Sequence, residues 1–301
     1  MVQTLIVKLN ATGDVVRTTA LLRSLEGPIT WITARGNLPL LQGTRDDLRV
    51  FAWDEREQAA DARYDLAINL EDEVETARFV HRMQPARVFG AMLADDSVTY
   101  SDDARDWFDM SLISRFGRQR ADELKLANRR SYQEMIFAGL GLTFSGQAYV
   151  LPRPTPTDLH GDVAVAPVAG PVWPMKNWAH YDALQRRLEA AGLRVNVLPR
   201  RTSLLEHLGD IANHRCLVGG DSLPMHLALG LGVPCVTIFN CTSPWEIHDY
   251  GLQTKVVSSL LGEFFYKRGS DERATTAVAL SDVSDAIMAR LGEPIAEVPR
   301  P

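Results

Sequence analysis

Apolar positions along the chain fall into short, nearly continuous runs separated by longer amphipathic stretches. Leu5-Ile6-Val7, Ile29-Thr30-Trp31-Ile32-Thr33, Arg49-Val50-Phe51-Ala52, Asp65-Leu66-Ala67-Ile68-Asn69-Leu70 and Arg87-Val88-Phe89-Gly90 read as strands. Runs of this kind suit strands covered on both faces of a parallel sheet. Val15 to Leu25, with apolar residues at 15, 16, 21, 22 and 25, predicts a helix, as do Glu73 to Met83 and Ala121 to Leu140. Residues 93–120 are polar, acid-rich and irregular, and predict a loop.

A second series follows. Val163 to Ala166, Leu193 to Leu198, Cys216 to Gly219 and Val233 to Phe239 predict strands. Helices are expected over His180 to Ala191 with Gly192 as C-cap, over Ser203 to Asn213, over Pro224 to Leu231 and from Ser281 to Leu291 ahead of a proline-rich tail. Ser203 and Glu206 have the spacing of a capping box. Between the series, Leu151-Pro152-Arg153-Pro154-Thr155-Pro156-Thr157 places three prolines in five residues, which neither a helix nor a central strand accommodates. The pattern predicts an α/β protein of two halves, 1–152 and 153–301, each with a parallel sheet, facing each other across a cleft at the carboxyl ends of their strands.

Composition narrows the class. The 301 residues are 46% hydrophobic and 23% charged, enough apolar content for two cores. A net charge of −6 weighs against nucleic-acid binding, which needs clustered Lys and Arg. Three cysteines, Cys216, Cys235 and Cys241, with no CxxC, suit a reducing cytoplasm and buried apolar positions. No apolar run approaches the roughly 20 residues of a membrane span, so contact with the inner face of a membrane is at most peripheral. No strongly basic amphipathic helix stands out in support of it.

Three segments carry candidate chemistry. Lys8-Leu9-Asn10-Ala11-Thr12-Gly13-Asp14-Val15-Val16-Arg17-Thr18 follows the first strand and opens a helix. Asp14 there is either a general base toward an attacking hydroxyl or a residue of the helix start. The second is Ala166-Pro167-Val168-Ala169-Gly170-Pro171-Val172-Trp173-Pro174-Met175-Lys176-Asn177-Trp178. Lys176 either holds a diphosphate or is a solvated lysine. The third, Gly219-Gly220-Asp221-Ser222-Leu223-Pro224-Met225-His226, joins a strand end to a helix start, the place where backbone amides and the helix dipole receive an anion. Asp221 either accepts sugar hydroxyls or caps the helix. The loop Asn240-Cys241-Thr242-Ser243-Pro244-Trp245-Glu246 is aimed at the same rim, and the acidic Glu71-Asp72-Glu73 reads as a helix start. The chain has no Asp-x-Asp for a metal on a sugar diphosphate, and no GxGxxG or GxxxxGK[ST] for a dinucleotide or ATP.

In order and spacing these segments resemble the ADP-heptose:lipopolysaccharide heptosyltransferases, glycosyltransferase family 9. The first resembles K-x-x-x-x-GD-V-x-x-T, the second W-P-x-K-x-W, and the third D-[ST]-G-x-x-H-x-A-A-x-x-x-P, with Leu223 where the family has glycine. Ala166-Pro167-Val168-Ala169 replaces the usual H-P-G-A. The resemblance implies a GT-B fold, two Rossmann-like domains with the last helix, about 281–291, returning toward the first. It implies an inverting transfer with no metal and no cofactor beyond the ADP-heptose donor. Asp14 would be the base. Lys176, Asp221, Ser222, Leu223, Pro224, Met225, His226 and Trp173 would bind the donor. Asn10, Thr12, Gly13, Arg17 and Thr18, with Arg35, would line the acceptor side. The acceptor would be a hydroxyl of inner-core lipopolysaccharide or a related glycan or glycolipid. A protein or small-molecule acceptor, a different nucleotide sugar, and a non-catalytic sugar-nucleotide-binding protein are the alternatives.

Overall fold

The computed structural model describes residues 2–170 and 172–292; Pro171 and the proline-rich tail lie outside the described residues. The chain divides between Pro152 and Arg153 into two compact units.

The first unit is built on six strands: β1 (Thr4–Val7), β2 (Ile29–Thr33), β3 (Leu48–Ala52), β4 (Leu66–Asn69), β5 (Arg87–Ala94) and β6 (Ser97–Tyr100). Their order is β3-β2-β1-β4-β5-β6, parallel except for the antiparallel β5–β6 pair. Every residue of β1 and β2 is buried, as nearly continuous apolar runs require. Leu5, Val7, Ile32 and Ala67 pack there against Phe79 and Val80 of the Val74–Arg82 helix.

The second unit holds β7 (Gly161–Ala166), β8 (Val195–Val197), β9 (His214–Gly220), β10 (Cys235–Phe239) and β11 (Gln253–Val257), all parallel, in the order β11-β10-β9-β7-β8. Strand β11 escaped the sequence reading because its Thr254 and Lys255 interrupt any apolar run on a half-exposed edge. The last helix, Leu280–Gly292, buries Val283 and Ile287 in this unit's core with Val163, Val236 and Ile238.

Three expectations are corrected. The helix from Val15 to Leu25 is an α-helix over Thr12–Thr18 followed by a 3₁₀ segment, Thr19–Arg23. The loop expected over 93–120 contains a hairpin: Asp95 and Asp96, at φ 45° and 61°, make the left-handed turn that matches strand twist. The helix expected over Ala121 to Leu140 is two, Arg118–Ala127 and Tyr132–Leu140. Ser131 starts the second by accepting from the Glu134 amide while Glu134 accepts from Ser131, a capping box that overrides the continuous helical periodicity.

The proline-rich stretch is docked rather than free. The Thr155 amide donates to the Leu205 carbonyl at 3.0 Å, and a Cβ on Gly209 would lie 2.0 Å from the Thr155 carbonyl oxygen. Each sheet has one point where chain order reverses direction, between β1 and β4 in the first unit and between β7 and β9 in the second. Loops leaving the carboxyl ends of those strands diverge there and leave room for a ligand. Among the described residues no helix is long and apolar enough to cross a membrane.

Candidate active site

In the first unit the reversal point is occupied by a buried ion pair. Lys8 leaves β1 and donates from Nζ to Glu71 Oε1 at 2.7 Å and to the Leu70 carbonyl at 3.3 Å. The Leu9 and Asn10 amides donate to the same Glu71 oxygen, at 2.8 and 3.2 Å. Glu71 is therefore no helix start; the helix begins at Val74, with Glu73 as its N-cap. Asn37 fixes the other side of the loop, accepting from Thr12 Oγ1 at 2.8 Å and donating to the Leu9 carbonyl at 2.7 Å. Neither Glu71 nor Asn37 belonged to the expected site. Both act by holding backbone, which leaves no periodic or motif signal.

Asp14 sits in the first turn of the Thr12–Thr18 helix with its carboxylate about one-third exposed, and the Arg17 guanidinium pairs with it at 2.9 Å. Arg17 is buried, lying 4.0 Å from the Tyr132 ring centroid and 5.2 Å from that of Trp107. Thr18 Oγ1 donates to the Asp14 carbonyl and shares a 2.8 Å hydrogen bond with the Tyr132 hydroxyl. Burial raises the Tyr132 hydroxyl far above its ordinary range, so it stays protonated. Of the acceptor-side candidates, Asn10 is exposed, Thr12 is half-buried, and Gly13, Arg17 and Thr18 are buried. Arg35 pairs with Asp54 and Glu55 at the surface.

In the second unit the reversal point is equally built. A Cβ on Gly219 would lie 3.0 Å from the Ala166 carbonyl oxygen, and one on Gly220 3.0 Å from that of Lys176. Two glycines at the end of β9 thus let the 166–178 segment lie directly against it. Lys176 Nζ donates to the Asp221 carbonyl at 2.7 Å and to Asp221 Oδ2 at 2.9 Å. Burial by itself would raise the Asp221 carboxyl; the charge of Lys176, then that of His226, outweighs it and holds the group at about 2.

The rest of the segment is anchored residue by residue. Asn177 Oδ1 accepts from the Ala169 amide at 2.7 Å, Trp178 Nε1 donates to the Val278 carbonyl at 3.0 Å, and Asn240 Nδ2 donates to the Met175 carbonyl at 3.1 Å. Trp173 sets its edge against Tyr266, with Arg268 over its ring. Ser222 is the N-cap of the Leu223–Leu231 helix but makes no side-chain capping bond; its hydroxyl turns back to the Gly220 carbonyl. Asp221 to Pro224 are half-buried and reachable, whereas Met225 and His226 lie beneath them in the core. An anion at this helix start would meet an uncapped dipole and a lysine already in place.

Residues 172–267 match the model of glycosyltransferase family 9 (heptosyltransferase). The fold as a whole is similar to a family 9 glycosyltransferase from Veillonella parvula, at 15% identity, 96% of this chain, 97% of that chain and a TM-score of 0.66. It is similar to the E. coli heptosyltransferase WaaC solved with ADP, at 18% identity, 96% and 99% coverage and a TM-score of 0.63. It is also similar to E. coli ADP-heptose lps heptosyltransferase II, at 14% identity, 97% and 98% coverage and a TM-score of 0.56. No curated protein matches in sequence. The fold is GT-B, and the segment that matches the family 9 model contains the Trp173–Trp178 and Asp221–Pro234 motifs.

Proposed function

We propose that the protein transfers a heptosyl group from ADP-heptose to a hydroxyl of a glycan acceptor, inner-core lipopolysaccharide or a related glycolipid, with inversion and without a metal, on the cytoplasmic side of a membrane. The Lys176–Asp221 pair at the start of the Leu223–Leu231 helix carries this reading. A diphosphate placed there takes over the Lys176 ammonium, and Asp221, ionised at any physiological pH, is left to accept from sugar hydroxyls. The relatives' structures with ADP and with ADP-2-deoxy-2-fluoro heptose support an adenine nucleotide donor. The lack of Asp-x-Asp supports charge stabilisation by lysine and helix dipole.

Asp14 takes the proton from the acceptor hydroxyl as its oxygen bonds to the anomeric carbon. The bond from that carbon to the phosphate oxygen breaks on the opposite face, which inverts the centre, and ADP departs with its new charge against Lys176. Arg17, held by Trp107 and Tyr132, positions the Asp14 carboxylate and keeps it from turning away.

The test is ADP release from ADP-heptose with candidate acceptors. Asp14→Asn is expected to lose turnover by roughly 10²–10⁴-fold, the usual contribution of a general base, while still binding donor. Undiminished turnover removes the base assignment, and turnover abolished by EDTA removes metal independence. In a thermal-shift panel of nucleotide sugars, stabilisation by UDP- or GDP-sugars alone removes the ADP-heptose assignment.

A further inference from the structure

The segment 111–130 of the first unit departs from the rest of the surface. It carries six basic residues, Arg115, Arg118, Arg120, Lys125, Arg129 and Arg130, against two acidic ones, Asp122 and Glu123, a local net of +4 in a chain of net −6. Arg115 to Arg120 are six consecutive exposed residues. Leu112 is 64% and Phe116 60% exposed, and Phe116 is the one aromatic among the large exposed apolar side chains of the described residues. Single exposed apolar residues need no explanation, but two within five residues, interleaved with arginines, do.

The segment is rigidly presented. Ser114 and Gly117 amides donate to the Ser111 and Ser114 carbonyls, making two tight turns that lead into the Arg118–Ala127 helix. The Arg115 amide donates to the Tyr100 hydroxyl at 3.0 Å, and its guanidinium lies over the Tyr100 ring. Of that helix only Ala121 is buried. The carboxylates beside the cations, Asp102 on Arg115, Asp106 on Arg130, Asp122 on Arg118 and Glu123 on Arg120, all form exposed pairs, which contribute little and yield readily to a competing phosphate.

We propose that this segment is a docking surface for an anionic lipid bilayer: Leu112 and Phe116 enter the headgroup boundary while Arg115, Arg118 and Arg120 meet lipid phosphates. A bilayer is the partner that offers both negative charge and an apolar interior at once. A nucleic acid or a soluble glycan offers no apolar layer for Leu112. The cations belong to a turn and a short helix rather than a long amphipathic one, so helical periodicity does not reveal them. The proposal does not rest on the donor assignment, and its test requires no turnover.

The experiment is co-sedimentation of the full chain with vesicles of phosphatidylcholine, with and without phosphatidylglycerol, over a range of salt. Binding is expected only to the anionic vesicles and is expected to weaken with salt. Arg118→Ser with Arg120→Ser should reduce partitioning by roughly fivefold for each side chain removed. Leu112→Asp with Phe116→Asp should reduce it by about tenfold or more. Unchanged thermal melts establish that the variants fold, as their exposure predicts. Binding equal to neutral vesicles, binding insensitive to both pairs of substitutions, or capture by a polyanion such as heparin with no vesicle binding would each overturn the proposal.

Discussion

Replacing Lys176 with methionine tests the chemistry of the donor-side loop directly. The lysine and Asp221 are each about 15% exposed at the side chain, so the pair is largely shielded from water. Lowering the Asp221 carboxyl from 3.8 to about 2 corresponds to about 2 kcal/mol, at roughly 1.4 kcal/mol per unit. Without Lys176, burial pushes the carboxyl up instead, so the expected loss at neutral pH lies between that value and the ~3–5 kcal/mol of a fully buried pair broken on one side. The sign follows from linkage. A group held below its unfolded value stabilises the fold above the unfolded value and loses that contribution as pH falls through the folded one. The stability difference between wild type and Lys176→Met should therefore narrow as pH falls from the raised carboxyl value of the variant toward the wild-type value of about 2. Urea denaturation across pH measures it. Lys176→Met with Asp221→Asn, which leaves no unpaired buried charge, should recover part of the loss. A Lys176→Met loss below about 0.5 kcal/mol, the scale of an ordinary surface change, or a difference that does not vary with pH, would refute the electrostatic account of this loop.

Three further outcomes follow from the same geometry. Glu71→Ala removes the one acceptor shared by Lys8, Leu9 and Asn10 and leaves the buried Lys8 ammonium without its carboxylate, so it should cost ~3–5 kcal/mol in a denaturant titration. Gly220→Ala places a methyl 3.0 Å from the Lys176 carbonyl; it should destabilise by about 1–3 kcal/mol and weaken donor binding by calorimetry as the 166–178 segment moves. Arg17→Met keeps the packing on Trp107 and Tyr132 but removes the guanidinium that pairs with Asp14. It should lower kcat with little change in donor Kd, and Arg17→Lys should restore part of the rate; an unaffected kcat would remove Arg17 from its positioning role.

Much of the fold was legible because its causes are local. Nearly continuous apolar runs announce strands covered on both faces, and the β-helix alternation between them leaves few topologies for a parallel sheet. Where the reading failed, the deciding interaction was either a short-range polar one or absent from any periodic pattern. Ser131 and Glu134 broke a helix whose apolar spacing runs on, Asp95 and Asp96 turned a polar stretch into a hairpin, and edge strand β11 carried too few apolar residues to register.

By itself the sequence determined two α/β units, a division at the prolines, and the ordered segments around Asp14, Lys176 and Asp221, because element type and loop chemistry depend on residues close along the chain. Tertiary structure alone decided which residues meet at each reversal of strand order. Lys8 joins Glu71 across 63 positions, and Lys176 joins Asp221 across 45. Arg17 rests on Tyr132 and Trp107 from distant helices. Such pairs are set by sheet order, and strands that are neighbours in a sheet need not be neighbours in the chain.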